Sequence, residues 1–240
     1  MISWFPKSMK HNVTHYCAGC GHGIITRLIC EAIDELNIRE KTIGIAPIGC
    51  AVLAYNYWNF DTTEAAHGRV PAVAMGIKRV LPDRIVFGCQ GDGDLAAIGL
   101  AEIIHCANRG ENICIFFINN AVYGMTQGQM APTTLIGQKT ATTPDGRNPE
   151  DDGYPLKISE MLALLPAVAY IERTSVHNPQ NVIKTKKAIK KAFQNQIEKK
   201  GFSLVEILST CPSCWDKTPV ESALWLQNEL IKTFPLGVLK

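Results

Sequence analysis

Two rhythms of apolar residues alternate along the chain. Between 22 and 38, Ile24, Leu28, Ile29, Ala32, Ile33 and Leu36 share one face of a 3.6-residue repeat, which predicts a helix. A short apolar run at 42–46 follows and is closed by Pro47 and Gly49. The spacing predicts a helix over 71–81 with Pro71 in its first turn. Residues 84–89 read as a buried strand, 95–109 as a helix stopped by Gly110, and 113–118 as a second buried strand. A polar stretch rich in Gly, Thr and Pro covers about 121–155. A loop that long in a compact domain is functional or mobile. The rhythm then resumes, with a helix near 156–164, a strand near 167–174, a helix near 179–199 and a strand near 203–208. A last helix starts near Pro219. Strands apolar throughout and separated by helices imply an α/β fold of three layers, with a mostly parallel sheet covered on both faces. No repeat or linker divides the chain, so 1–240 reads as one domain.

Composition narrows the field. Lys and Arg total 24 against 22 Asp and Glu, a net charge of +2, which gives no footprint for nucleic acid. Charges or turn residues interrupt every apolar run, so no membrane span is expected. The start, Met-Ile-Ser-Trp-Phe-Pro-Lys, lacks a basic stretch before an apolar core, so a secretory signal is not expected and the cytoplasm is. Nine cysteines are many for a reduced compartment, where ligation of a metal or cluster is the sharper reading than disulfides.

Gly91-Asp92-Gly93-Asp94 lies between the strand 84–89 and the helix 95–109, and Asn119-Asn120 follows the strand 113–118. In a parallel sheet both segments fall at the carboxyl edge, where open α/β folds bind ligands. The glycines admit phosphate oxygens close to the backbone, the helix start offers free N–H groups, and Asp92 and Asn120 offer hard oxygens suited to Mg²⁺ on a diphosphate. Gly91, Gly93 and Ala96 also fit a dinucleotide-binding pattern, but the next strand ends in Asn119 rather than the ribose-binding acid. A tight turn without ligand is the bland reading.

Cys17 and Cys20 form a C-x₂-C turn that aims two thiolates at one centre. Cys50, Cys211 and Cys214 are further candidates, and the residues alone leave tetrahedral zinc and a 4Fe–4S cluster both open. A redox-active pair at 211 and 214 is a minor alternative. Cys30, Cys89, Cys106 and Cys114 sit in predicted helices or strands and read as buried hydrophobic thiols.

The Gly-Asp-Gly with its later Asn-Asn resembles the signature of thiamine-diphosphate enzymes. Tyr16-Cys17, Gly19-Cys20-Gly21-His22, Gly49-Cys50, His67-Gly68-Arg69 and the Gly-Asp-Gly-Asp run occur in order, followed by Asn119-Asn120 and Tyr123-Gly124-Met125-Thr126-Gln127-Gly128-Gln129. From about Tyr16 to Phe234-Pro235-Leu236-Gly237, the chain resembles the beta subunit of 2-oxoacid:ferredoxin oxidoreductases. The resemblance implies a thiamine-diphosphate-binding fold. Asp92, Asn120 and the Val122 carbonyl would hold Mg²⁺. Ile48, Gly49, Cys50, Ala51, His67, Gly91, Gly93, Asp94, Gly124, Met125 and Thr126 would contact the cofactor. It further implies one 4Fe–4S cluster on Cys17, Cys20, Cys50 and Cys211, although the family commonly has Asn where this chain has Cys214.

The implied activity is coenzyme-A-dependent oxidative decarboxylation of a 2-oxoacid, with electrons passed through the cluster to ferredoxin. The implied partners are an alpha subunit carrying the pyrimidine-binding domain and its activating glutamate, and gamma or delta subunits. The chain alone is therefore expected to be inactive. His67 and Arg69 are catalytic candidates, near the phosphate or substrate; the alternative is a pair that braces a loop. His105 reads as structural. Neutral Gln127 tilts the substrate towards a monocarboxylic, branched-chain 2-oxoacid rather than 2-oxoglutarate. Lysines 184, 186, 187, 190, 191, 199 and 200 accompany an apolar stripe of Ile183, Ile189, Ala192, Phe193 and Ile197, the pattern of a solvated amphipathic helix; docking of acidic ferredoxin is the alternative. Two other functions compete: a non-oxidative thiamine-dependent decarboxylase subunit with structural zinc, and a zinc-stabilised nucleotide-binding module.

Overall fold

The apolar runs become the inner strands of a seven-stranded sheet in the structure, a computed structural model that describes residues 5–240. In chain order the elements are α1 (Gly21–Glu35), β1 (Thr42–Ala46), β2 (Asp61–Glu64), α2 (Val70–Val80), β3 (Ile85–Gly91), α3 (Leu100–Asn108), β4 (Cys114–Asn119) and α4 (Pro149–Asp152). They continue with α5 (Ile158–Ala163), β5 (Val168–Ser175), α6 (Pro179–Ile197), β6 (Phe202–Leu208), α7 (Pro212–Trp215), α8 (Pro219–Trp225), α9 (Ile231–Thr233) and β7 (Gly237–Val238). The strand order is β2-β1-β3-β4-β6-β5-β7, parallel throughout except for β5 with β7.

Alternate residues of each inner strand feed two cores, which is why the runs are apolar without a break. Phe87, Cys114, Phe116, Val205 and Ile207 pack under α1 and α6. Val86, Ile115, Phe117, Leu204 and Ile171 pack under α2, α3 and α5. Phe193 of α6 meets Phe87 and Phe116 edge-on, at 5.6 and 5.3 Å between centroids. Each such pair stabilises by about 0.5–1.5 kcal/mol beyond burial. Cys30, Cys89, Cys106 and Cys114 are buried in these layers, and burial pushes the last three up to about 12.

Several expectations change. Ile24 is 40% exposed, and Ile25 takes the inward place on α1. On α6, Ile183 is 58% exposed and Ile197 is exposed too, while Thr185 and Gln196 are buried. Both polar residues have partners there. Thr185 Oγ1 donates to the Ser175 carbonyl at 2.8 Å, and Gln196 bonds the N–H and carbonyl of Val86 at 2.6 and 2.8 Å. Lys186 bridges to Glu31 and Glu35 of α1, and Lys190 to Glu35. The helix expected over 95–109 is broken. A wide π turn occupies Asp94–Ile98, and Gly99 separates it from α3 because a Cβ there would lie 2.6 Å from the Gly68 carbonyl.

The long loop is built rather than loose. A third apolar cluster with Ala121, Val122, Leu135, Trp215, Leu226 and Phe234 lies beneath it. The buried Arg147 guanidinium donates to the carbonyls of Pro132, Thr134, Asp152, Gly153 and Tyr154. No helix among the described residues is long and apolar enough to cross a membrane.

Candidate functional site

Four neighbouring strands, β1, β3, β4 and β6, end at the same edge of the sheet, and each delivers one chemical group there. Cys50 follows β1, Asp92 follows β3, Asn120 follows β4 and Cys211 follows β6. Ile48, Gly49, Cys50, Ala51, His67, Gly91, Asp92, Gly93, Asp94, Asn120, Val122, Gly124, Met125 and Thr126 all line one cavity at that edge. His22, Pro47 and Tyr123 line it as well. A Cβ at Gly49 or Gly91 would meet nothing within 4 Å, so both glycines leave ligand space beside the backbone.

Asp92 is buried and accepts from Gly93 N at 2.9 Å, Val122 N at 3.3 Å and Thr133 Oγ1 at 2.7 Å. Burial pushes its carboxyl up to about 6 against those hydrogen bonds. Asn119 Oδ1 accepts from Ala121 N at 3.1 Å, where Ala121 has φ +55, and the next residue, Val122, gives its N–H to Asp92. The inward atom of the Asn120 amide lies 2.9 Å from the Val122 carbonyl oxygen and 3.3 and 3.2 Å from Asp92 Oδ1 and Oδ2. With the amide nitrogen inward, the group donates to three acceptors. With the oxygen inward, three kinds of oxygen would face one point, an arrangement suited to a cation. Octahedral Mg²⁺ with bonds of about 2.1 Å spaces adjacent ligand oxygens by about 3 Å, which matches these separations. The donor set therefore fits Mg²⁺.

Asp94 serves the protein more than the cavity. It accepts from Gly68 N at 2.8 Å and from the Gln90 amide, and His67 Nδ1 lies 2.5 Å away without a directed hydrogen bond. His67 thus faces the cavity from a braced loop. Arg69 does not line the cavity: its guanidinium turns to Glu102, a partner within reach on α3. Gln127 also lies outside, exposed at φ +75, so its neutrality says nothing about the cavity. His105 is exposed on α3, away from the cavity.

The thiols gather on the other side. The Cys17–Cys20 turn closes with Cys20 N donating to the Cys17 carbonyl at 3.0 Å. Thr210 Oγ1 then donates to the Gly19 carbonyl at 2.7 Å and docks the turn beside the end of β6. A Cβ on Gly124 would lie 3.0 Å from Cys50 Sγ and 3.6 Å from Cys211 Sγ, so both sulfurs crowd one backbone position. Burial pushes the Cys50 thiol up to about 12, and Cys20, Cys214 and Cys17 add to the rise. Burial likewise takes Cys20 to about 11, with Cys17 and Cys214 adding. The neighbouring Cys211 lowers Cys214 from the usual thiol range, while Cys214 and burial raise Cys211; Cys214 Sγ donates to the Gly124 carbonyl at 3.4 Å. All of these cysteines are free. Among the described residues, no three Cys, His, Asp or Glu side chains close on a single point tightly enough for one metal ion.

The family profile of the thiamine pyrophosphate enzymes' C-terminal TPP binding domain matches residues 47–207. The 2-oxoglutarate synthase subunit KorB of Methanocaldococcus jannaschii is 38% identical over 203 residues, covering 84% of this chain and 71% of that one. The solved 2-oxoglutarate:ferredoxin oxidoreductase from Magnetococcus marinus, with 2-oxoglutarate, coenzyme A and succinyl-CoA bound, superposes with a TM-score of 0.75 at 30% identity. That match covers 89% of this chain and 70% of the solved one. The chain belongs to the 2-oxoacid:ferredoxin oxidoreductase family and carries its TPP binding domain. Within that family it is 51% identical over 223 residues to the ketoisovalerate oxidoreductase subunit VorA of Methanothermobacter thermautotrophicus. The alignment covers 93% of this chain and 47% of VorA, so the chain spans about half the length of that relative.

A family motif would have pointed to His22 and Tyr123, which stand inside the quoted runs. Tyr123 packs so tightly on Gly93 that a Cβ there would lie 2.0 Å from its ring. Thr133 carries no local signal, since it reaches Asp92 from 41 residues away.

Proposed function

We propose that the chain is the thiamine-diphosphate-binding part of a heteromeric oxidoreductase that converts a 2-oxoacid and coenzyme A to acyl-CoA and CO₂ and passes electrons to ferredoxin. The observation that carries this reading is the meeting of oxygen ligands and thiols in one place: Gly124 lies against Cys50 and Cys211 and borders the same cavity as Asp92, Asn120 and Val122. Bound thiamine diphosphate supplies the thiazolium nucleophile and electron sink for decarboxylation. Asp92, the Asn120 side chain and the Val122 carbonyl would hold its Mg²⁺. Gly49 and Gly91 leave room for it, and His67 faces it from its braced loop. Cys17, Cys20, Cys50 and Cys211 would hold the 4Fe–4S cluster. Cys211 is favoured over Cys214 because the family pattern commonly has Asn at the latter position and because Cys211 Sγ, like that of Cys50, borders the Cβ position of Gly124.

An alpha subunit carrying the pyrimidine-binding domain would supply the activating carboxylate. The apolar side chains of Ile48 and Met125 in the lining favour a branched-chain monocarboxylic 2-oxoacid. The VorA relative, named for ketoisovalerate, supports the same choice. The test is anaerobic co-purification with partner subunits, iron and acid-labile sulfide assay, and turnover. About four irons and four sulfides per chain, with ferredoxin reduced faster on ketoisovalerate than on 2-oxoglutarate, is the expected result. Zinc without sulfide would defeat the electron-transfer reading.

A further inference from the structure

One side chain touches both the cavity and the thiols without a place in either ligand set. His22, the second residue of α1, is 4% exposed. Its Nδ1 stands 3.2 Å from Cys20 Sγ, and its ring forms part of the cavity wall. Tyr16 packs against the ring at 5.4 Å between centroids and limits its rotation. Nε2 makes no hydrogen bond to another side chain or to the backbone among the described residues.

A thiolate sulfur only accepts hydrogen bonds, so beside a ligating Cys20 the imidazole presents Nδ1–H to Sγ and, when neutral, carries no proton on Nε2. Hydrogen bonds to cluster sulfurs raise the reduction potential, because the reduced cluster carries more negative charge and gains more from the donor. We propose that His22 is a tuning residue for the first electron acceptor: its Nδ1–H donates to the Cys20 thiolate and raises the reduction potential of the cluster beside the cofactor cavity. This rests on the cluster reading above.

The test uses the anaerobically isolated complex and reads the cluster midpoint potential by potentiometric titration followed by electron paramagnetic resonance. Two variants separate the ring nitrogens. His22→Asn keeps a donor near the position of Nδ1, and His22→Gln keeps a nitrogen only near that of Nε2. Iron and sulfide content is measured first in each. The expected result is a potential near wild type for His22→Asn and a more negative one for His22→Gln. Loss of one hydrogen bond to a charged sulfur corresponds to about a tenfold change in the reduction equilibrium, about 59 mV for one electron. Equal potentials in all three cluster-loaded proteins, or equal shifts in both variants, would overturn the role of Nδ1. A wild-type complex without iron and sulfide would instead sink the cluster reading itself, and the tuning role with it.

Discussion

The two halves of the cavity are built in opposite ways. The oxygen half hangs on the ends of β3 and β4, and its carboxylate has three protein donors already in place. Behind it Asn119 Nδ2 donates to Glu206 at 2.8 Å, and Glu206 also accepts from Ser159 at 2.5 Å and from Arg173 Nε at 2.7 Å. Arg173 in turn bonds both Glu160 oxygens and lies over the Phe234 ring. The sulfur half is gathered from three distant parts of the chain, and burial holds its Cys20 and Cys50 thiols in the protonated form. One half has its hydrogen bonds already made, whereas the thiols of the other would have to shed protons to ligate a metal.

Substitutions can break or sharpen this contrast. The largest effect is expected from Cys17→Ala, at an exposed thiol outside the cavity lining. Iron and sulfide should fall from about four per chain to background. Thiamine diphosphate affinity by calorimetry should change by less than about 1 kcal/mol. Equal loss of both would show that the halves are not independent. Next, Glu206→Ala removes one of the two carboxylates that pair with the buried Arg173 and leaves Arg173 Nε, Asn119 Nδ2 and Ser159 Oγ without their acceptor. Stability should drop by about 3–5 kcal/mol, read as a fall in the urea midpoint. A smaller and more local effect is expected of Gly91→Ala, whose added methyl enters the ligand space. Cofactor affinity should fall by about 1–3 kcal/mol while the thermal midpoint stays in place.

The smallest effect marks the periphery. Hydrogen bonds from Lys186 and Lys190 hold the Glu35 carboxyl below its usual range, and Lys186 and Arg27 outweigh burial to do the same for Glu31. A carboxyl depressed in the folded state adds stability above its unfolded pKa and loses it as pH falls through the folded value. Lys186→Ala should therefore cost no more than about 1 kcal/mol at pH 7, with the difference vanishing in acid below the carboxylate range. A difference that persists there would point to packing rather than charge.

The sequence made the oxygen half easier to read than its supports. Asp92 and Asn120 sit in short runs whose spacing carries chemistry, and the inner strands announce themselves as unbroken apolar segments. Strand β2 escaped because Asp-Thr-Thr-Glu has no apolar face to bury, and β7 because two residues make no pattern. The helical phase at Ile24 failed for want of tertiary context, since Ile24 and Ile25 both satisfy an amphipathic count. Glu206 stayed hidden within an apolar strand, since only the neighbouring Arg173 and Asn119 explain its burial. Arg69 shows the converse. It stood in a motif beside His67, but an acid one turn into α3 claimed its charge.

The margins of the sheet have a consequence for assembly. On one side, β2 presents exposed Asp61 and Glu64; on the other, β7 pairs antiparallel with β5 over only two residues. Neither flank is a long, flat, greasy ribbon on which a foreign strand could dock, and short charged borders of this kind discourage such addition. A strand added at either border would find few residues to pair with, so association by extension of the sheet is disfavoured on both sides.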